Sequence, residues 1–250
     1  MEAVHFNLHK SFKNNFWYVQ CRQDLINKLL KKHLAKKKIN KASTKILDVG
    51  CGTGMNYKVL KNFGTVYNLD IDKIAIDVYK KKRIKNVFLG DAQNMKMFKA
   101  NQFDVLCAIE LIEHLPRDYL FIREAYRVLK KGGFLLLTAP AFKSLWSEDD
   151  KLAHHYRRYN IKQLENLLSK KFKINLLSYR YFFLFPFSVL IFMVTRFKRI
   201  FTGKSKSSLA FTPRFLNSLL KDVMRLENTL ISKNIKLPFG VGIVALCEKR

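Results

Sequence analysis

An α/β fold built on a parallel, doubly wound sheet is what this sequence predicts, and three observations predict it. A short apolar run, Ile46-Leu47 and then Val49, passes at once into three glycines at alternate positions, Gly50, Gly52 and Gly54. Strand-like apolar runs and helix-like segments alternate from residue 45 to residue 139, the order that gives parallel strands joined by crossover helices. Acids follow the strand ends, and ligands of such sheets bind beyond the carboxyl ends of the strands.

The elements justify this in order. Residues 5–41 precede the first strand. Phe16-Trp17-Tyr18-Val19-Gln20-Cys21-Arg22 leads into an amphipathic helix with Leu25, Leu29 and Leu30 toward the core. That helix either packs over a sheet edge or acts as a lid, with Trp17 and Tyr18 as an apolar cover and Arg22 facing a carboxylate. The first strand ends in Asp48, which can accept from donors on a ligand. Glycine after it permits positive φ and lets a ligand lie against bare backbone. Met55, Val59 and Phe63 then share a helix face from 55 to 63.

The second strand, Val66-Tyr67-Asn68-Leu69, ends in Asp70-Ile71-Asp72. A carboxylate at Asp70 can accept from both hydroxyls of a ribose, while Asp72 suits the N-cap of the next helix. Val87-Phe88-Leu89 is a third strand, followed by Asp91-Ala92. Phe103 to Ile109 is a fourth, apolar strand, left by Glu110-Leu111-Ile112-Glu113-His114-Leu115. Glu113 and His114 have acid–base chemistry, but orienting the turn into a helix from Pro116 is the reading preferred here. That helix is expected over Arg117–Leu129, capped by Gly132-Gly133, with a fifth strand from Phe134 to Pro140.

Asp48-Val49-Gly50-Cys51-Gly52-Thr53-Gly54 resembles motif I of the class I S-adenosylmethionine-dependent methyltransferases. Dinucleotide-binding proteins use Gly-x-Gly-x-x-Gly instead, and Asn56-Tyr57 stands where their last glycine would fall. The resemblance implies a Rossmann-like seven-stranded sheet with helices on both faces and an antiparallel last strand. It implies S-adenosyl-L-methionine as cofactor, met by Asp48, Gly50, Cys51, Gly52, Gly54, Asp70, Ile71, Asp91, Ala92, Ile109, Glu110 and Arg22. In that family the acid at Asp91 accepts from the adenine amino group and Ala92 offers its backbone amide.

The loop Trp146-Ser147-Glu148-Asp149-Asp150 to His154-His155-Tyr156-Arg157-Arg158-Tyr159 follows the fifth strand, so it opens over the same edge. It resembles a methyltransferase subgroup with an acid and then a His-x-Arg-Arg-Tyr run, which implies that the methyl acceptor enters here. Trp146, His154, Arg157, Arg158 and Tyr159 are the candidate acceptor contacts, since paired arginines suit phosphate or carboxylate. His155 and Asp150 are candidates for taking a proton. A salt-bridged loop tied to the helix Ile161–Ser169 is the structural alternative.

Beyond the sixth strand, Phe172–Tyr179, the run from Tyr181 to Thr195 carries no charge. It is shorter than the ~20 residues of a span and broken by Pro186. Arg180, Arg196, Lys198, Arg199, Lys204 and Lys206 flank it without an acid. Core, dimer face and a segment lying in anionic lipid are the three readings, and charge with aromatics favours the last. A polar loop over Thr202–Ser208 precedes a helix from Thr212-Pro213 with the stripe Leu216, Leu219, Leu220, Val223, Leu226 and Leu230. Leu237-Pro238-Phe239-Gly240 then turns into a last strand, Val241–Cys247. The expected organisation is a helical cap over 1–44 and a methyltransferase domain over 45–250, with 180–235 an apolar and basic helical insertion.

Of 250 residues 48% are apolar, enough for one medium domain. Cys21, Cys51, Cys107 and Cys247 are scattered, which reads as free thiols in a reducing compartment. The amino terminus lacks a signal pattern, so a cytoplasmic protein, peripheral at a membrane or not, is expected. No metal site is expected, since the histidines lack ligand spacing with cysteines or acids. The net charge of +28, with 34 of 47 basic residues lysine, fits an anionic membrane surface, nucleic acid or plain solvated lysine. The function expected is methylation of a small-molecule or lipid-linked acceptor by a monomer or homodimer. An RNA methyltransferase and a non-catalytic cofactor-binding protein are the alternatives; against the first, no Asn-Pro-Pro-Tyr-type motif for a flipped base is present.

Overall fold

The computed structural model describes residues 17–37, 40–202 and 214–250. Seven strands form one sheet: β1 (Lys45–Val49), β2 (Thr65–Asp70), β3 (Val87–Leu89), β4 (Phe103–Ile109), β5 (Leu129–Pro140), β6 (Phe172–Arg180) and β7 (Gly242–Lys249). Their order is β3-β2-β1-β4-β5-β7-β6. β1 is central and pairs in parallel with β2 and β4. β7 runs antiparallel to both β5 and β6, so β6 points the same way as β5. The ligand edge therefore gathers the carboxyl ends of six strands.

The helices are α1 (Trp17–Lys36), α2 (Tyr57–Leu60), α3 (Lys73–Lys81), α4 (Asp118–Val128), α5 (Glu148–Leu152), α6 (Ile161–Ser169), α7 (Phe185–Thr202) and α8 (Arg214–Ser232). They cover the sheet from two sides, and each side has its own apolar core. One core joins Leu47, Leu69, Leu106, Phe121, Leu135 and Leu164. The other joins Leu25, Leu29, Ile46, Val105, Leu136 and Val244. Alternation along β1 explains the division, because successive side chains leave opposite faces of a strand.

Several local expectations are corrected. The helix after the glycines shrinks to one turn, α2, because Gly54 and Met55 still belong to the cofactor-edge turn. Gly132 and Gly133 do not cap α4. They lie inside β5 at a register shift, where Gly132 has φ +73° and a Cβ on Gly133 would strike backbone oxygens of Lys130 and Asp104. α4 starts at Asp118 rather than at Pro116 or Arg117, and ends at Val128. β6 includes Arg180, and the last strand extends to Lys249. Asp72 is the N-cap of α3, accepting from the Ile74 N–H.

The leucine stripe foreseen for α8 is only partly right. Leu219 and Leu226 are exposed, and the buried line is Met224, Glu227, Asn228 and Ile231. Polar residues are buried there because each has partners. Asn228 donates to the Cys21 carbonyl at 2.8 Å and to Asp24 at 2.9 Å, both on α1. Glu227 accepts the backbone N–H groups of Tyr181 and Phe183, so it caps the turn between β6 and α7. α1 and α8 thus pack together although about 200 residues separate them.

Arg180, read from sequence as one of the cations flanking the apolar run, is 0% exposed. Arg196, Lys198 and Arg199 fall on α7 without described side chains. Phe16, Lys204, Lys206 and Thr212-Pro213 lie outside the described residues.

Candidate active site

The glycine turn is held from both sides. The N–H groups of Gly50 and Cys51 donate to the Leu69 carbonyl, at 2.8 and 3.2 Å. Gly50, Gly52 and Gly54 have φ of +68°, +51° and +90°, so the residue type follows from the backbone path. A Cβ on Gly52 would meet nothing within 4 Å, so this backbone faces open space. The Gly52 N–H donates to Asp70 Oδ2 at 2.8 Å, and the Asp72 N–H to Asp70 Oδ1 at 2.9 Å. Asp70 therefore ties the end of β2 to the turn. Burial raises its pKa.

Asp48 is fully buried, and neither carboxylate oxygen has a hydrogen-bond partner. Burial pushes it up to about 7, against the attraction of Arg22 and a smaller contribution from the Asn56 side chain beside it, which stays outside full hydrogen-bond geometry. Arg22, buried on α1, reaches Met55 Sδ at 3.5 Å through Nη2 and has no partner at Nε. Its guanidinium lies 5.4 Å from the Tyr18 ring centre. An unspent acid and a partly spent cation, facing each other beside open glycine backbone, suit a ligand that carries both an ammonium and a carboxylate.

The remaining cofactor candidates separate into near and peripheral. Cys51, Ala92 and Ile109 are buried, while Ile71 is exposed just beyond β2. Asp91 accepts from the Gln93 N–H at 2.8 Å and also faces the Gln93 amide, which leaves it at the end of β3. Glu110, at the end of β4, has φ +51°. Its Oε1 accepts from Thr138 Oγ1 at 2.7 Å.

The loop after β5 has a different character. Asp150 accepts from the Ser147 N–H at 2.8 Å, from Ser147 Oγ at 3.0 Å, and from both Nε and Nη2 of Arg158 at 2.8 Å. His155 Nδ1 is 2.8 Å from the same carboxylate. Burial alone would raise this carboxyl, but the hydrogen bonds from His155 and Arg158 outweigh it and hold it well below the usual carboxylate range. A carboxylate so held is a poor proton acceptor. Asp150 is better suited to tether the loop. Arg157 donates to Asp118 at 2.8 Å and to the Pro116 carbonyl at 2.7 Å. Tyr159, buried, donates to Asp118 at 2.9 Å. Trp146 is half-buried and His154 exposed.

Two groupings escaped the sequence reasoning. Glu113, His114 and His155 place one ligand atom each within 4.8 Å of one another, with the two imidazoles 4.6 Å apart. Spacing could not find this trio, because 41 positions separate His155 from His114 and the loop folds back through the Tyr156 N–H onto the Glu113 carbonyl. Two imidazoles and a carboxylate could hold a cation. Burial, with Glu110 nearby, raises the Glu113 carboxyl well above its ordinary value, so a cation would first displace a proton.

The second grouping is Arg180 at the end of β6, with Tyr18, Tyr181 and Glu110 around it. Its Nη1 lies 3.9 Å from Glu110 Oε1, and its guanidinium carbon 4.4 Å from the Tyr181 ring centre. The signal available in sequence was an arginine ending a strand that points to the ligand edge, but the direction of β6 was not legible.

A sequence profile of the methyltransferase-domain family matches residues 47–137. Among curated relatives, an uncharacterised protein of Methanocaldococcus jannaschii is 34% identical over 46% of this chain and 49% of its own. A ubiquinone biosynthesis O-methyltransferase of Pseudomonas aeruginosa is 29% identical over 39% and 44%. A demethylmenaquinone methyltransferase of Staphylococcus haemolyticus is 31% identical over 56% and 65%. The chain thus spans about half the length of the first curated relatives it matches. Among solved structures, a SAM-dependent methyltransferase from Archaeoglobus fulgidus superposes with TM-score 0.53 at 20% identity, over 89% of this chain and 94% of that one. The [4+2]-cyclase SpnF does so with TM-score 0.55 at 15% identity, over 89% and 81%. Sheet order, glycine turn and family profile agree: residues 47–137 match a methyltransferase-domain family, and the sheet has the fold of the solved S-adenosylmethionine-dependent methyltransferases.

Proposed function

We propose that the protein methylates an oxygen or nitrogen of a small-molecule or lipid-linked acceptor, using S-adenosylmethionine. The observation that carries this reading is the convergence of unspent groups on one sheet edge. Asp48 has both oxygens without partners, Arg22 an Nε without one, and the Gly52 backbone faces open space. Asp48 and Arg22 would hold the ammonium and carboxylate of the methionine part, Asp70 the ribose hydroxyls, and Asp91 with Ala92 the base. When bound, the cofactor supplies an electrophilic methyl carbon. The chain's own task is alignment and exclusion of water more than strong base catalysis. Trp17, Tyr18 and Tyr181 pack in one apolar cluster and would close the edge. The quinone-directed relatives support a small acceptor of apolar body.

The same reading places the work at an anionic membrane surface. No helix among the described residues is long and apolar enough to cross a membrane. Yet α7 leaves Phe187 67%, Leu190 59% and Met193 62% exposed, on a chain of net charge +28. Apolar area immersed in lipid contributes ~25 cal/mol per Å², and each cation near an anionic surface about 1 kcal/mol. The net charge also favours the second reading, RNA as acceptor, whose binding would fall steeply with salt.

One experiment tests both. Cell extract is incubated with the protein and radiolabelled S-adenosylmethionine, and product is sorted into lipid, small-molecule, RNA and protein fractions. Label in lipid or small molecules supports the proposal. Label confined to RNA favours the second reading, and label nowhere above an Asp48→Ala control sinks methyl transfer.

A further inference from the structure

Arg180 has no occupation in the fold that accounts for it. The residue is 0% exposed, and Nε, Nη1 and Nη2 all lack hydrogen-bond partners. The acid Glu110 stands 3.9 Å away, beyond hydrogen-bond reach, and its nearer oxygen already accepts from Thr138. Glu227, which also faces Arg180, gives its two oxygens to the N–H groups of Tyr181 and Phe183. Five guanidinium donors are therefore withdrawn from water with no hydrogen bond in return, only the longer-range attraction of Glu110 and the face of the Tyr181 ring. A methionine of similar length would cost the fold less, so the charge is explained by something outside the fold.

The place of Arg180 says what. It ends β6, which runs parallel to β5 and so delivers it to the ligand edge. Tyr18 and Tyr181 stack with ring centres 6.0 Å apart and planes 14° apart. Arg180 lies over the Tyr181 ring and Arg22 over the Tyr18 ring, so each ring of the pair has its own cation. Arg22 is on the side of Asp48 and the glycine turn. Arg180 is on the side of Glu110, at the end of β4.

Resting on the methyltransferase reading above, we infer that Arg180 anchors an anionic oxygen of the methyl acceptor, a carboxylate or phosphate carried on a flat apolar body. The planar guanidinium meets such an anion with two parallel hydrogen bonds. The facing tyrosine rings accept the apolar body, and burial makes the pairing stronger than at a surface. Neutral analogues leave the donors unspent and are rejected for that reason. With Arg180 closed over in this structure, entry of the acceptor requires Tyr18 and the start of α1 to move aside.

The test uses the full chain saturated with S-adenosylhomocysteine, titrated by calorimetry with benzoate, with inorganic phosphate and with benzamide as the neutral match of benzoate. Benzoate or phosphate is expected to bind at least about tenfold more tightly than benzamide, a difference of about 1.4 kcal/mol. Benzoate ahead of phosphate marks a carboxylate acceptor, and the reverse a phosphate. Arg180→Met is expected to erase the preference for the anion while S-adenosylhomocysteine affinity stays within about threefold. Arg180→Lys, which keeps the charge but not the fork, is expected to retain part of the preference. Binding of neither benzoate nor phosphate more tightly than benzamide by the native chain overturns the inference, as does a preference that survives Arg180→Met. A tenfold loss of S-adenosylhomocysteine affinity in a folded Arg180→Met chain also overturns it, because Arg180 then serves the cofactor. Failure of the native chain to bind S-adenosylhomocysteine overturns the underlying reading and this inference together.

Discussion

Asp150 and Arg180 are both buried charged residues near one sheet edge, and they are opposites in their partners. Asp150 accepts from Ser147, His155 and Arg158 and has nothing left to offer a ligand. Arg180 has every donor unspent. In sequence the loop from Trp146 to Tyr159 reads as the functional segment, and Arg180 as one of the cations flanking an apolar run. The difference teaches that polar density along the chain does not report which groups are spent: the loop's acid is saturated by its neighbours, while Arg180 is buried without hydrogen bonds and so calls for an explanation. Asp48 belongs with Arg180 by this criterion.

The largest expected effect breaks the satisfied cluster. Asp150→Ala strands Arg158 and His155 with an uncompensated charge, and loss of a buried partner costs about 3–5 kcal/mol. Chemical denaturation should register that loss, and a change under about 1 kcal/mol would mean the cluster is a solvated ornament. Acid has the same target. Because the folded-state pKa of Asp150 is depressed, its stabilisation is complete above the ordinary carboxylate range and is lost as pH falls below it. The Asp150→Ala chain should therefore lose less stability than the native chain on acidification.

Next in size is the cofactor edge. Asp70→Ala removes the acceptor for the Gly52 and Asp72 N–H groups together with the proposed ribose contact. Charge-assisted bonds contribute about 1.5–3 kcal/mol each, so calorimetric affinity for S-adenosylmethionine should fall at least tenfold. Unchanged affinity would remove Asp70 from the site.

Asp48 gives a smaller and pH-dependent effect. Its folded-state pKa, raised to about 7, means that the folded chain holds a proton the unfolded chain releases. Stability therefore declines as pH rises from the ordinary carboxylate range to about 7. Cofactor binding has the reverse slope: an ammonium group needs the ionised acid, so affinity should rise as pH passes through about 7. Asp48→Asn should flatten both profiles. A native affinity that is level across that range would separate Asp48 from the ammonium.

The smallest expected effect on the fold is at α7. Leu190→Glu on its exposed face should change stability by no more than about 0.5 kcal/mol and reduce flotation with acidic liposomes. High salt should weaken native flotation. Equal flotation of native and variant chains would move the membrane contact elsewhere or abolish it.

Much of the sheet was legible because its signals are local. Ile46-Leu47 and Val49 are a buried strand by composition, Gly50, Gly52 and Gly54 are required by positive φ within five residues, and Asp72 caps the helix that follows it at once. Glu227 and Asn228 were not legible as buried groups. Their partners, Tyr181 and Cys21, lie 46 and 207 positions away, and no helical periodicity reports a partner on another element. Gly132 and Gly133 misled for a related reason: a glycine pair after a helix reads as a cap, and only strand pairing with β4 makes it a bulge.

The sequence by itself determined the alternating strands and helices, the glycine turn, and the acids Asp48, Asp70 and Glu110 at strand ends, because each is fixed by the chemistry of neighbouring residues. The tertiary structure alone decided which charges are spent. Whether Asp150 is tied down, Asp48 orphaned, or Arg180 sealed between Tyr181 and Glu110 depends on burial and on donors from remote segments. Those quantities exist only once the chain has excluded water and chosen its neighbours.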